Sequence, residues 1–373
     1  MGNYVLMNKN NAVATCSLTD NGIKIESIAN QDLMPIGIVE SNQKSVDEQI
    51  TLWNGNRCIP FGRPNYKSLM EQFQIQQASD WIAKSYMCSL TDCYWFKPEG
   101  SDKAWEDVNF RENGFSSDLY KALFYGNSDT QINNLNSPDI TTDGAEPKMW
   151  IEKGDGFYLL KHYSGSMPLT VCNEYIVSNL FNKLGIQCVE YCLVEVNGMV
   201  CCESKCFIDS NTEEFVTAED LMKQYGYTMQ NVDALMTRIG FEQEFSKMII
   251  GDYLVGNVDR HSRNFGIIVD SDTKEIKRFA PLFDHGESYM CVDIDNLMYI
   301  VGETTFGQAI NGVDVKYLRE INDMQEKDVV DILNSIPYID YDTKNEMFCE
   351  LFRRMEHINE LIIEKEIDHG RDY

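Results

Sequence analysis

Positive charge is scarce in this chain. Lysine and arginine number 32 against 59 aspartates and glutamates, a net charge of −27 with a sequence pI near 4.5. A surface of that kind is a poor collector of nucleic-acid backbones or anionic lipid headgroups, so direct nucleic-acid or membrane binding is not expected. One small basic pocket stays compatible with it. No apolar run approaches the roughly 18–20 residues that a spanning helix needs. The opening Met1-Gly2-Asn3-Tyr4 lacks the basic-then-apolar layout of a signal peptide, and Leu6 stands where a myristoylation site needs a small polar residue. Repeats of solenoid length and low-complexity segments are absent as well. Disorder is excluded by composition, because 43% of the residues are hydrophobic and 11% aromatic. At 373 residues the chain exceeds the roughly 250–300 at which single cores stop growing, so two or three lobes of a soluble, cytoplasmic protein are expected.

Cysteine occurs twelve times but never as C-x-x-C. The densest group is Cys188, Cys192, Cys201, Cys202 and Cys206, with Asn197-Gly198 between its members. Asn-Gly is a strong two-residue hairpin signal. A type I′ turn there sets Cys192 opposite Glu203 and Cys201 opposite Val194. The expectation is small thiols packed in a reduced hairpin, with no zinc site; zinc is the alternative.

Along the chain, residues 1–30 read as short strands broken at Asn8-Lys9-Asn10-Asn11 and Thr19-Asp20-Asn21-Gly22. Residues 46–125 are mixed and aromatic-rich, with helical patches near 66–75 and 79–87 and loops at Asn54-Gly55-Asn56 and Pro98-Glu99-Gly100. No chemistry is legible there. The polar stretch Asn127–Asp139 reads as a boundary. A Gly-containing loop, Thr141 to Lys148, then leads into strands at Met149–Glu152 and Phe157–Tyr163, and a helix runs from about Asn173 to Leu184. Beyond Asp209 the pattern is helical, with apolar stripes at Phe241, Phe245, Met248 and Ile249 and at Met347, Leu351, Phe352 and Met355. The predicted organisation is an N-terminal α/β region of unknown role (1–130), a β-rich lobe (131–207) and a helical lobe (208–373).

The segment Gly256 to Gly266 carries the chemistry. Asp259 and Asn264 are five residues apart, the spacing at which a kinase catalytic loop orients the attacking hydroxyl and holds magnesium. A strand-like run, Phe279 to Phe283, ends at Asp284, placed to bridge a metal to ATP phosphates. Two carboxylates and an amide make a hard-oxygen magnesium site. Upstream, Lys161 lies in an apolar strand and requires an anionic partner, which ATP phosphates or Glu174 can supply. Backbone amides around Gly144, with Lys148, can cradle the outer phosphates. Each signal is weak alone. Their order is the one a bilobal protein-kinase-like α+β fold requires, here with an additional mixed N-terminal domain.

Asn257-x-Asp259-x-His261-x-x-Asn264 with Phe283-Asp284 resembles the HipA family of bacterial serine/threonine kinases. Thr142 to Lys148 is similar to that family's short phosphate loop, and Asn173-Glu174-Tyr175 to its N-lobe helix. The resemblance spans roughly residues 135–350. It implies Asp259 as catalytic base, Asn264 and Asp284 as Mg2+ ligands, Lys161 on the α/β-phosphates, and Asn257 and His261 as structural parts of the catalytic loop. Lys205 and Phe207 fall near the adenine hinge, on a loose match. In the toxins of that family a serine of the loop is autophosphorylated; Thr141 and Thr142 occupy the corresponding region, and threonine is a departure. The family includes toxins that phosphorylate aminoacyl-tRNA synthetases, which makes such an enzyme a candidate protein substrate and a separate antitoxin a candidate partner. The catalytic segment is also similar to that of phosphoinositide kinases. Two other readings therefore stand: a lipid or small-molecule kinase, slightly favoured by Arg260-His261 and disfavoured by the net charge, and a pseudokinase that only binds a partner.

Overall fold

The computed structural model describes residues 2–40, 44–63, 66–115, 119, 124–125, 135–163, 169–288, 290–321 and 324–371. Its packing divides into two units. The first comprises Met1–Ser164, Lys205–Val216 and Ile267–Arg278; the second comprises Gly165–Ser204, Thr217–Gly266 and Phe279–Tyr373.

In the first unit the two turn signals near the N-terminus act as expected, separating strands Asn3–Asn8, Asn11–Thr19 and Gly22–Ile28. With Tyr94–Pro98 they form an antiparallel sheet in which Asn3–Asn8 is flanked by Asn11–Thr19 and Tyr94–Pro98. The two-residue period sorts its side chains. Leu6 and its register partner Phe96 enter one core with Val13, Ile23, Ile50 and Trp81, while Met7 and its partner Trp95 enter another with Trp105, Phe110, Trp150 and Phe157. Helix Val46–Asn56 buries Ile50 and starts at Ser45, whose side chain and Glu48 form a reciprocal cap. Asn54-Gly55-Asn56, expected as a loop, is the last turn of this helix, because the cap and the burial of Ile50 and Asn54 carry the chain through the glycine. The patch near 66–75 is helix Tyr66–Phe73, ended by Gln74 at φ 55°, and the patch near 79–87 is only a 3-10 turn, Ala78–Ala83.

Strands Lys148–Lys153 and Gly156–His162 pair in an antiparallel hairpin that sets Lys148 opposite Lys161. A three-stranded sheet orders Ile276–Phe279, Gly266–Asp270 and Glu213–Thr217. Here the strand predicted for Phe279–Phe283 runs instead over Ile276–Phe279, and Phe283-Asp284 lie beyond it. Buried Glu214 ties this unit together, accepting from Asn8 Nδ2 (2.9 Å) and Lys274 Nζ (2.7 Å). All five tryptophans, Trp53, Trp81, Trp95, Trp105 and Trp150, belong to this first unit.

The second unit is mainly helical. Helix Leu169–Leu184 buries Glu174, Val177, Leu180, Phe181 and Leu184. The hairpin Tyr191–Val196/Met199–Lys205 turns at Asn197 (φ 51°) and Gly198 (φ 77°), the left-handed pair a type I′ turn demands. Its register places Cys192 opposite Glu203 and Cys201 opposite Val194, as expected. Helix Glu242–Val255 is buried without a break from Ile250 to Val255, and helix Tyr341–Arg371 buries Met347, Leu351, Arg354, Ile358 and Leu361. Phe352 and Met355, assigned to that stripe from sequence, are only half-buried; Arg354 takes the inward position and donates to the carbonyls of Leu254 (2.9 Å) and Val292 (2.6 Å). All twelve cysteines are free thiols. Among the described residues no helix is long and apolar enough to cross a membrane.

Candidate active site

The catalytic segment follows directly from helix Glu242–Val255, which stops at Gly256 in the left-handed conformation. The next residues fold back on that helix. The Asn257 amide N–H donates to the Asp252 carbonyl (3.0 Å), and its side-chain Nδ2 donates to the Asp252 carboxylate (3.1 Å). Its Oδ1 accepts from the Asp259 N–H (3.2 Å), so Asn257 sets the turn that presents Asp259. His261 continues the turn: its N–H donates to the Asp259 carbonyl (2.8 Å), its carbonyl accepts from the Asn264 N–H (2.9 Å), and its Nδ1 accepts from the Arg263 N–H (3.2 Å). The carbonyls of Ser262 and Phe265 accept from Glu219 and Ala218, at the start of helix Ala218–Tyr225 (3.0 and 2.9 Å).

The residue that organises this segment is Arg260, which together with His261 slightly favours a lipid or small-molecule kinase on sequence. It is fully buried and paired with equally buried Asp252, donating through Nε (3.0 Å) and Nη2 (3.0 Å). Burial alone would lower its proton affinity; the charge and hydrogen bonds of Asp252 outweigh that and raise it, with Asp284 adding in the same direction. Tyr299 Oη also donates to Asp252 (2.7 Å). The second arm of the guanidinium, Nη1, donates to the carbonyls of both Asn264 (2.9 Å) and Phe283 (2.7 Å). One nitrogen thus fastens the backbone that carries Asn264 to the backbone that carries Asp284. Nη2 further donates to His285 Nδ1 (3.0 Å), which leaves the imidazole proton on Nε2.

Asp284 itself adopts φ 61°, an uncommon conformation for a side-chain-bearing residue that concentrates at functional positions. Its surroundings hold it there. Glu174, fully buried, accepts the His285 N–H (2.8 Å), and Asn173 Nδ2 donates to the Gly286 carbonyl (2.8 Å). Glu174 therefore positions the segment next to Asp284, a role the sequence did not suggest. Asn264 Nδ2 donates to the Asp259 carbonyl (3.0 Å), which turns its Oδ1 to the other side of the amide. Asn264 and Asp284, the two residues expected to hold magnesium, offer an amide oxygen and a carboxylate, which are hard donors. Among the described residues no three His, Cys, Asp or Glu side chains gather as a metal group.

The predicted phosphate elements lie in the first unit. Lys148 and Lys161 are 6% and 7% exposed and occupy opposite register positions, where like charges destabilise a strand pair unless negative charge is close. Gly144 takes φ 96°, a conformation that strains any residue with a Cβ, and Lys148 Nζ lies 2.0 Å from where that Cβ would stand, so a side chain there would also displace the lysine end. The Thr141 hydroxyl donates to the carbonyls of Cys88 (2.9 Å) and Pro138 (3.1 Å). That of Thr142 donates to Pro138 (2.7 Å) and accepts from Trp150 Nε1 (2.8 Å), so both hydroxyls are engaged inward. Lys205 is surface-exposed and pairs with Asp155 (2.8 Å), while Phe207 packs edge-on against Phe215.

Comparison with known proteins fits this geometry. No curated protein matches the sequence significantly. Among solved structures, the chain is similar to HipA in the complex of the Shewanella oneidensis MR-1 toxin–antitoxin system HipA, HipB and its operator DNA. The match has 13% identity and a TM-score of 0.58 over 96% of this chain and 99% of that one. A second similar structure is the Helicobacter pylori proinflammatory kinase CtkA, with 18% identity and a TM-score of 0.49 over 61% of this chain and 93% of that one. At such identities the HipA likeness concerns the mixed α+β fold. The sequence profile of the HipA-like C-terminal domain matches residues 140–336, more than half of the 373, and spans the Thr141–Lys148 loop, the catalytic segment and Asp284. The chain belongs to the HipA-like C-terminal domain family.

Proposed function

We propose that the protein is an ATP- and Mg2+-dependent kinase that transfers the γ-phosphate to a serine or threonine hydroxyl of a protein, with its own chain among the candidate acceptors. The observation that supports this best is the Arg260 fastening, which ties the backbone of Asn264 to that of Phe283-Asp284 within the stretch that matches the family. Asp259 orients the acceptor hydroxyl and takes its proton; Asn264 and Asp284 hold magnesium. The ion, when bound, neutralises charge on the phosphates. Lys161 and Lys148 contribute cationic contacts to phosphate oxygens, and the backbone around Gly144 contributes amides. Glu174 acts through the Asp284 segment, and Lys205 and Phe207 stand near the adenine. The bilobal arrangement, with residues 131–207 and 208–373 as lobes and 1–130 appended, belongs to the same proposal.

Arg260 spends its charge on Asp252, which weakens the Arg260-His261 argument for a lipid or small-molecule kinase. HipA of Shewanella was crystallised with HipB and operator DNA. By that analogy we propose a separate antitoxin as a partner in the cytoplasm, with nucleic acid reached through the partner, and an aminoacyl-tRNA synthetase as a candidate substrate. The deciding experiment incubates wild-type and Asp259→Asn protein with radiolabelled ATP and Mg2+, with and without bacterial lysate. Label on the chain or on one lysate protein with wild type only is the expected result. Equal labelling by both proteins would refute Asp259 as base. No label despite Mg2+-dependent ATP binding would favour the pseudokinase.

A further inference from the structure

The aromatic-rich N-terminal region has no part in the reading so far, yet it supplies Arg63. This side chain is 2% exposed, and three successive backbone carbonyls surround it. Nη2 donates to the carbonyls of Thr142 (2.6 Å), Asp143 (3.2 Å) and Gly144 (2.8 Å), and Nε donates to Gly144 as well (3.2 Å). Burial pulls the guanidinium down to about 10, with Asp139 and Asp143 opposing through space. So dehydrated a cation is costly, and carbonyl dipoles alone compensate it incompletely. Its Nη1 has no hydrogen-bond partner among the described residues.

What this arrangement does to the loop follows from peptide geometry. The described peptides are all trans, and in a trans peptide C=O and N–H point in opposite directions. Three carbonyls drawn to Arg63 send the N–H groups of Asp143, Gly144 and Ala145 to the far side. The loop thus presents successive N–H donors on the face away from Arg63, where an anion can meet them. The Gly144 N–H is met there by a carboxylate oxygen, Asp143 Oδ1, at 2.7 Å. Lys148 Nζ stands over Gly144. Without Arg63 the three carbonyls lose their common partner, and of the contacts named here only that of Asp143 Oδ1 with the Gly144 N–H remains to orient an amide.

We propose that Arg63 is a positioning residue that presents the Thr142–Lys148 loop to the outer phosphates of a nucleotide, and that this is a function of the N-terminal region. The inference rests on the reading of that loop as a phosphate cradle. Its signature is selectivity by phosphate number. In the 373-residue chain, Arg63→Met is expected to weaken MgATP and MgADP binding at least tenfold, about 1.4 kcal/mol, and to leave AMP affinity unchanged, by isothermal titration calorimetry. In turnover assays KM for ATP rises by the same factor while kcat holds within about threefold. Should Arg63→Met fail to fold, Arg63→Lys keeps the charge without the fork and is expected to show the same phosphate-dependent loss. Lys148→Met serves as the control. If Lys148→Met weakens MgATP while the Arg63 variants do not, or if they weaken AMP equally, the inference is overturned and the cradle stands. If Lys148→Met leaves MgATP binding unchanged, the cradle fails and the inference with it.

Discussion

Removing the Arg260 guanidinium tests the architecture of the catalytic segment most directly. Methionine at 260 keeps much of the stem's volume but leaves the Asp252 carboxylate buried with Asn257 and Tyr299 as its side-chain donors among the described residues. Breaking one side of a buried ion pair costs about 3–5 kcal/mol. The two surviving donors set the expectation for Arg260→Met near the lower end, about 3 kcal/mol. Asp252→Asn strands the guanidinium and costs a similar amount. In the double variant neither charge is left alone, so its cost should fall short of the sum by about 2 kcal/mol. Urea denaturation followed by far-UV circular dichroism measures these values, since the affected unit is mainly helical. Hydrogen exchange by mass spectrometry gives the local readout: peptides covering 257–266 and 282–288 should exchange faster in Arg260→Met, and the 191–204 hairpin should not. A cost below about 1 kcal/mol, the range of a surface pair, with unchanged exchange in both peptides, would refute the fastening role.

Other outcomes follow from the same contacts. Burial raises the Asp139 carboxyl to about 6 in the folded chain, against roughly 3.9 when unfolded. The folded state then keeps a proton that the unfolded state has lost. Its stabilising contribution is full below about pH 4 and disappears as pH rises through about 6, with a ceiling of about 3 kcal/mol. Urea midpoints of wild type relative to Asp139→Asn should therefore decline across that window, and a constant offset would count against it. Asp284→Asn should reduce phosphotransfer about 100-fold or more, read by label incorporation, with the far-UV spectrum unchanged. Of the twelve thiols, exposed Cys192 and Cys349 should react first with a chromogenic disulfide. Burial pushes Cys16, Cys58 and Cys188 up to about 12, and these should react only after denaturation.

Local signals were readable wherever a few adjacent residues decide the outcome. The Asn- and Gly-centred turns placed the first three strands, and Asn197-Gly198 gave the hairpin register to the residue. The Asp259–Asn264 spacing pointed to the family that the profile match supports. Non-local pairing was not readable. Arg260 finds Asp252 eight residues back only because the chain reverses at Gly256, and Arg63 meets the Thr142–Gly144 carbonyls across some eighty residues. One clue was available: Asp252 interrupts the run Ile249-Ile250-Gly251-Asp252-Tyr253-Leu254-Val255, and a carboxylate in such a run requires a buried donor. Strand ends failed for a related reason. Phe279 to Phe283 is apolar enough for a strand, but the guanidinium claims the Phe283 carbonyl, and the left-handed Asp284 follows.

The distribution of tryptophan has an optical consequence. Every indole sits in the first unit, and Trp150 donates its ring N–H to the Thr142 hydroxyl inside the candidate phosphate loop. Emission excited at 295 nm therefore watches that loop at close range, and the unit that carries Asp259, Asn264 and Asp284 contributes no indole of its own. A ligand that moves the loop should shift or quench this emission. One that engages only the second unit should leave it dark to the fluorimeter while still changing the circular dichroism melt. The wild-type chain thus carries its own probe for one half of the molecule, with no label attached.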